Sequence, residues 1–181
     1  MAEGLLRLGA EACVVCVVGL KLTLIAWGLI PGGVKARVVR DSSFAAIGEL
    51  AKEVADRFGE EGAKAVADVM ARIGRMQGEA MKRELGLSES LEGAVDAWRA
   101  FSGIYGVKAV VRRVGERAYE FEHRKCPGWE VFRERGLLPA GCKLACLPLV
   151  EGIAKGVYPE ARVEVVREPS VEEPCVKRLV G

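Results

Sequence analysis

Residues 106–126 read GVKAVVRRVGERAYEFEHRKC, and this stretch decides the fold. As far as Phe101 the apolar residues recur at helical spacing, whereas from Val107 onward the period becomes two. Val107 to Val114 and Arg117 to Arg124 are β-rich runs separated by Gly115-Glu116, which predicts two strands joined as a tight hairpin. Alternation sets Tyr119, Phe121 and His123 on one face and Glu120 and Glu122 on the other, with His123 at the very end of its strand.

Upstream the pattern is helical. Asp41, Ser42 and Ser43 offer N-cap oxygens for a helix to about Arg57, with Phe44, Ile47, Leu50 and Val54 at helical spacing, and Phe58-Gly59 ends it. A second helix from about Glu60 to Leu85 carries Val66, Val69, Met70, Ile73, Met76 and Ala80 on one stripe. Gly74 and Gly78, one turn apart, each cost about 1 kcal/mol relative to Ala in a helix interior. Close backbone approach by another helix or by a ligand would offset that cost. Ser88 to Ser90 can cap a third helix, about Ser90 to Phe101, carrying Val95 and Trp98.

Downstream of the hairpin, Cys126-Pro127 ends the strand, and Trp129 to Arg135 forms a short helix closed by Gly136. A longer helix, about Ala140 to Lys155, places Cys142 and Cys146 at i, i+4 on one face, and Gly156 and Pro159 stop it. Arg162 to Glu168 and Cys175 to Val180 supply two final strands. The expected fold is therefore α+β: a helical layer packed on an antiparallel sheet of about four strands, in a single domain over 34–181.

Residues 1–33 form an apolar N-terminal extension. Ala12 to Ile30 is apolar apart from Lys21 and Thr23, but an ammonium near the middle argues against a membrane span. We expect a buried element or subunit contact there, with Cys13 and Cys16 as small core residues. Glu3 and Glu11 make the leading segment a poor signal peptide, so a cytoplasmic location is expected.

The chain has 181 residues and a net charge of +2 with mixed signs along its length, which carries no electrostatic footprint of a nucleic-acid binder. It has no Asn, a single Gln and a single Thr, the depletion of thermolabile residues expected of a hyperthermophile protein. Intracellular proteins of that kind can hold real disulfides. Cysteine pairs therefore stay open to either reading.

Four cysteines crowd the last third, Cys126, Cys142, Cys146 and Cys175, with the only histidine, His123, just ahead of them. Four thiolates, or three with an imidazole, match the ligand inventory of tetrahedral zinc or another divalent metal. The alternatives are a disulfide joining Cys142 or Cys146 to Cys126 or Cys175, and inert buried thiols. All but the last require the sulfurs to converge.

The region that opens with Cys126-Pro127-Gly128-Trp129-Glu130, continues through Cys142, Cys146 and Gly156-x-x-Pro159, and closes at Cys175 resembles the L-2-amino-thiazoline-4-carboxylic acid hydrolase-like family. More distantly it is similar to 4-vinyl-reductase-type hydrocarbon-binding domains. The resemblance implies a ligand-binding α+β domain with a pocket between helices and sheet, usually dimeric, and hydrolysis of a C–N bond in a small cyclic substrate.

Two mechanisms would serve that reaction. A metal at the cysteine cluster would polarise an amidine carbon and supply hydroxide, with Glu122 or Glu130 as base. Without metal, Cys126 would act as nucleophile, its pKa lowered by His123, Arg124 and Lys125. A different class is a non-catalytic sensor or carrier, its apolar ligand held between the Met-bearing helices and the sheet. The pocket residues expected in either case are Met70, Gly74, Gly78, Tyr119, Phe121 and Trp129. The partners expected are a small molecule and a second copy of the chain.

Overall fold

The computed structural model describes residues 31–181, so the apolar extension with Cys13 and Cys16 lies outside the described residues. The chain divides into two compact units, Met1–Val39 and Arg40–Gly181. Helix α1 covers Gly32–Leu85 and is broken at Gly59, whose φ of 61° is open to glycine at no steric cost. The break expected at Phe58-Gly59 is therefore present.

The start of that helix differs from expectation. Asp41, Ser42 and Ser43 lie inside α1 and do not cap it, because neither proline nor glycine interrupts the chain between Val34 and Ile47. Asp41 instead accepts from Arg40 Nε at 2.7 Å.

Helix α2 spans Leu91–Ile104 and opens on Ser90, whose side chain accepts the Gly93 N–H. Strands β1 (Lys108–Gly115) and β2 (Ala118–Lys125) form the expected antiparallel hairpin. Helix α3 covers Pro127–Glu134. A π-helical turn, Gly141–Cys146, then leads into helix α4, Leu147–Val157. Strands β3 (Arg162–Arg167) and β4 (Val176–Val180) complete one sheet of order β1-β2-β4-β3, antiparallel throughout.

The π turn corrects the regular helix expected from Ala140. The Leu147 N–H reaches the carbonyl of Cys142, five residues back, just before Pro148, which has no N–H to donate. The local widening falls on the segment that carries both Cys142 and Cys146.

The principal core lies where α2 and α4 cover one sheet face. Val95, Trp98 and Phe101 of α2 meet Phe121, Leu179, Ile153 and Val157, and the Trp98 ring stacks on Phe121 at 4.0 Å between centroids. On the opposite sheet face, Arg178 pairs with Glu120 at 2.6 Å and Arg112 with Glu122 at 3.1 Å. These are exposed or half-exposed ion pairs of modest worth. A smaller cluster gathers Phe132, Leu137 and Cys142 with Phe44. Gly48 makes room for it, since a Cβ there would stand 2.6 Å from the Phe132 ring.

Gly74 and Gly78 of α1 face α4, as close helix approach requires. A Cβ on Gly74 would collide with the Leu149 carbonyl and one on Gly78 with the Ile153 carbonyl. Across the crossing, Gly152 and Gly156 play the same part toward the backbone of Ala71 and Arg75. The stripe expected to be buried is thereby split. Glycines and Met70 turn inward, while Val69, Ile73 and Met76 are exposed, Met76 to 69%.

Candidate functional site

Five elements converge at one end of the core. β2 carries His123 near its end, and Cys126 follows the strand as the N-cap of α3, its sulfur accepting the Trp129 N–H at 3.5 Å. The π turn delivers Cys142 and Cys146, α4 contributes Leu149 and Val150, Cys175 immediately precedes β4, and Lys177 is the second residue of that strand. Parity along β4 turns Lys177 inward with Leu179, opposite Phe121 on β2.

These residues bound two small cavities. The larger, of about 50 Å³, is walled by Phe44, Trp98, Phe101, Ser102, Tyr105 and Val107. His123, Cys126, Cys146 and Lys177 form its polar part, and Leu149 and Val150 complete it. The second, of about 10 Å³, is bounded among others by Cys142, Cys175 and Lys177. Lys177 lines both. A wider open groove of about 670 Å³ runs along α1 and α4, lined by Asp68, Arg72, Arg75, Glu151 and Lys155, but it holds none of the cysteines.

Burial governs the electrostatics. His123 is 6% exposed and Lys177 5%. Burial, and then the charge of Lys177, lower the His123 pKa to about 3, so its imidazole is neutral near pH 7. Burial raises the thiols of Cys126, Cys142 and Cys146, Cys146 to about 12. For Lys177, burial acts against the ammonium, and negative charge on Cys175, Cys146, Cys142 and Cys126 outweighs it and raises the pKa. That negative charge arises only where a sulfur has lost its proton. At the sulfurs burial is the largest influence and outweighs the Lys177 charge that favours their thiolates. Near neutral pH these three are therefore thiols, and Lys177 faces them without their charge.

The sulfurs converge on one region, yet Cys126, Cys142, Cys146 and Cys175 are all free thiols, so the alternative of a disulfide among them is not realised. Cys175 Sγ lies 3.4 Å from His123 Nδ1. Among the described residues no group of three His, Cys, Asp or Glu side chains is arranged to hold a metal ion. The donor set as arranged therefore does not fit such an ion.

Other expected site residues lie elsewhere. Glu122 sits on the far sheet face between Arg112 and Arg124, and neither it nor Glu130 lines the cavity. Arg124 and Lys125 are exposed. Gly74 and Gly78 are sealed by α4, and Phe121 is covered by Trp98. Tyr119 donates to Glu92 at 3.3 Å, and the Trp129 indole N–H donates to the Ser170 carbonyl at 2.7 Å. Met70 is buried but outside the cavity wall.

The sequence reading missed Lys177 and the α2 wall of the cavity, Trp98, Phe101, Ser102 and Tyr105. One signal was available. Cys175, Lys177 and Leu179 share parity in a strand whose inward set includes a cysteine already suspected of belonging to a site.

The fold is an α+β domain, with helices over an open antiparallel sheet. The chain belongs to the L-2-amino-thiazoline-4-carboxylic acid hydrolase family, whose sequence model matches residues 40–171. No curated protein matches the chain. Among solved structures it is similar to the phenol-responsive sensory domain of the transcription activator PoxR with phenol, at 18% identity and a TM-score of 0.56, over 75% of this chain and 72% of that one. It is also similar to a trafficking protein particle complex subunit 3 from Naegleria fowleri covalently bound to palmitic acid, at 15% identity and a TM-score of 0.53, over 79% and 95%. At these identities the likeness is one of fold. The match to 4-vinyl-reductase-type domains is not carried by these findings. Among the described residues no helix is long and apolar enough to cross a membrane.

Proposed function

We propose that the protein binds a small, ring-sized, largely apolar molecule in the cavity between α2, the π turn and the sheet, as a sensor or carrier. The observation that carries this reading is the composition of the cavity. Aromatic side chains form its wall and His123, Cys126, Cys146 and Lys177 its polar part, the arrangement of a small-molecule site with a few orienting groups. A phenol-responsive domain of similar fold supports it.

Size sets a condition. A volume of about 50 Å³ holds one or two waters, whereas a benzene-sized guest occupies a cavity of roughly 150 Å³. The ligand must therefore displace part of the wall. Phe44 and Tyr105, both only half-buried and 5.7 Å apart, are the side chains free to yield. Calorimetric titration with phenol tests the reading. The wild type is expected to bind, and Ser102→Leu, which fills the cavity, to lose binding while keeping its fold. Equal binding by both proteins would refute it.

A second reading, hydrolysis of a C–N bond in a small cyclic substrate, is favoured by the family and by one observation. Cys126 lines the cavity at a helix N-terminus, where the Trp129 N–H and Lys177 both favour its thiolate. Once deprotonated, its sulfur would add to the amidine carbon of a 2-amino-thiazoline. The ring nitrogen would take the proton that the thiol gave up as its bond to that carbon breaks, and water adding to the same carbon would then release the sulfur with a proton. His123 is no strong base for this step, because burial and Lys177 lower its pKa to about 3 and its Nδ1 is directed at Cys175. Incubation with L-2-amino-thiazoline-4-carboxylate should give a ring-opened product with the wild type and none with Cys126→Ser. Equal turnover by the variant would remove Cys126 from the reaction.

We also expect a homodimer in solution, with the exposed stripe Val69, Ile73 and Met76 as its apolar contribution. Light scattering coupled to size exclusion reads this directly, and a monomer at all concentrations would contradict it.

A further inference from the structure

We infer that Lys177 is the anion-recognition group of the cavity, so that the molecule bound there carries a carboxylate or similarly compact anionic group directed at its Nζ. The inference rests on the cavity being a ligand site. A lysine is rarely placed where its side chain is buried, and when it is, a paired counter-charge normally accompanies it. Lys177 is 5% exposed, on the inward face of a central strand beside fully buried Leu179.

Among the described residues it has neither a carboxylate partner nor a hydrogen bond. The acids of the neighbourhood are committed elsewhere. Glu168, which borders the smaller cavity, pairs with Lys143 at 3.3 Å. Glu120, Glu122 and Glu164 lie on the opposite sheet face with Arg178, Arg112 and Arg124. The remaining groups around Lys177 are the neutral imidazole of His123 and the sulfurs of Cys126, Cys142, Cys146 and Cys175.

An apolar residue at this position would pack the core at no electrostatic cost. A buried ammonium without a fixed counter-charge destabilises the empty protein and is repaid when a ligand supplies the anion in low dielectric. The neutral aromatic wall opposite would receive the rest of that ligand. Lys177 then selects acids over their neutral isosteres.

The test compares matched pairs that differ in charge and hardly in shape, benzoate with benzamide, and L-2-amino-thiazoline-4-carboxylate with its carboxamide. Each is titrated calorimetrically into the wild type and Lys177→Met. In the wild type the acid of at least one pair should bind about tenfold or more tightly than its amide. The preference should vanish in Lys177→Met, which keeps amide binding and, without ligand, unfolds at a higher temperature than the wild type. Amide binding equal to acid binding in the wild type, or a preference retained in the variant, overturns the inference and leaves the ligand site standing. If neither pair binds the wild type, the ligand-site reading falls and the inference with it. Should Lys177→Met fail to fold, the wild-type acid-to-amide ratio decides alone.

Discussion

The Nδ1 of His123 lies 3.4 Å from the sulfur of Cys175, tying the end of β2 to the entry of β4 inside the protein. The contact is buried, and that burial decides how the chain responds to acid. The folded protein keeps His123 neutral down to about pH 3, while the unfolded chain protonates it near 6.5. Between these values the unfolded state binds more protons, so the stability this group contributes is complete above pH 6.5 and is lost as pH falls toward 3. Urea midpoints measured from neutral pH down to the carboxylate range should decline for the wild type and stay flatter for His123→Gln. Parallel profiles would show that His123 is not held neutral.

The crossing of α1 and α4 makes a second prediction. Gly74→Ala places a methyl group against the Leu149 carbonyl, a backbone atom that cannot swing aside, and should cost roughly 1–3 kcal/mol. Gly103→Ala, in α2 with open space around it, should be neutral or stabilise by up to about 1 kcal/mol. Thermal unfolding of the two variants separates a packing requirement from simple helix propensity. Equal shifts would contradict the packing account.

The hairpin and this glycine pair were legible in the sequence because each leaves a local mark. Alternation from Val107 to Arg124 around Gly115-Glu116 admits few alternatives to a hairpin, and two glycines one turn apart in a long helix call for a close neighbour. The start of α1 was less legible, since Asp41, Ser42 and Ser43 carry cap chemistry whether or not a helix already runs through them. The cysteines were found, but their arrangement was not, because spacing along the chain does not show that Cys126 and Cys146 line one cavity and Cys142 and Cys175 another, with Lys177 lining both. Lys177 itself was hidden by the rule that charge points outward. Tyr119 and Phe121 were assigned the correct face, yet which inward residue lines a cavity and which is capped by a ring such as Trp98 is settled only by tertiary packing.

Phe44 supplies a third prediction. Its ring helps wall the cavity and touches the Tyr105 and Phe132 rings, but it is only half-buried. Phe44→Ala should enlarge the cavity at a cost below the roughly 3–5 kcal/mol of a fully buried Phe. It should also strengthen phenol binding by removing the need to displace that ring. Calorimetry and thermal unfolding of the variant check both parts, and unchanged or weaker binding would show that Phe44 does not limit the site.

The most direct measurement of the central claim is a crystal structure of the protein grown with benzoate. The account predicts the ring between Trp98, Phe101 and Tyr105, with Phe44 displaced and the carboxylate within hydrogen-bonding distance of Lys177 Nζ. Benzoate found only in the open groove of Arg72, Arg75 and Lys155, with the aromatic cavity closed around Lys177, would contradict it.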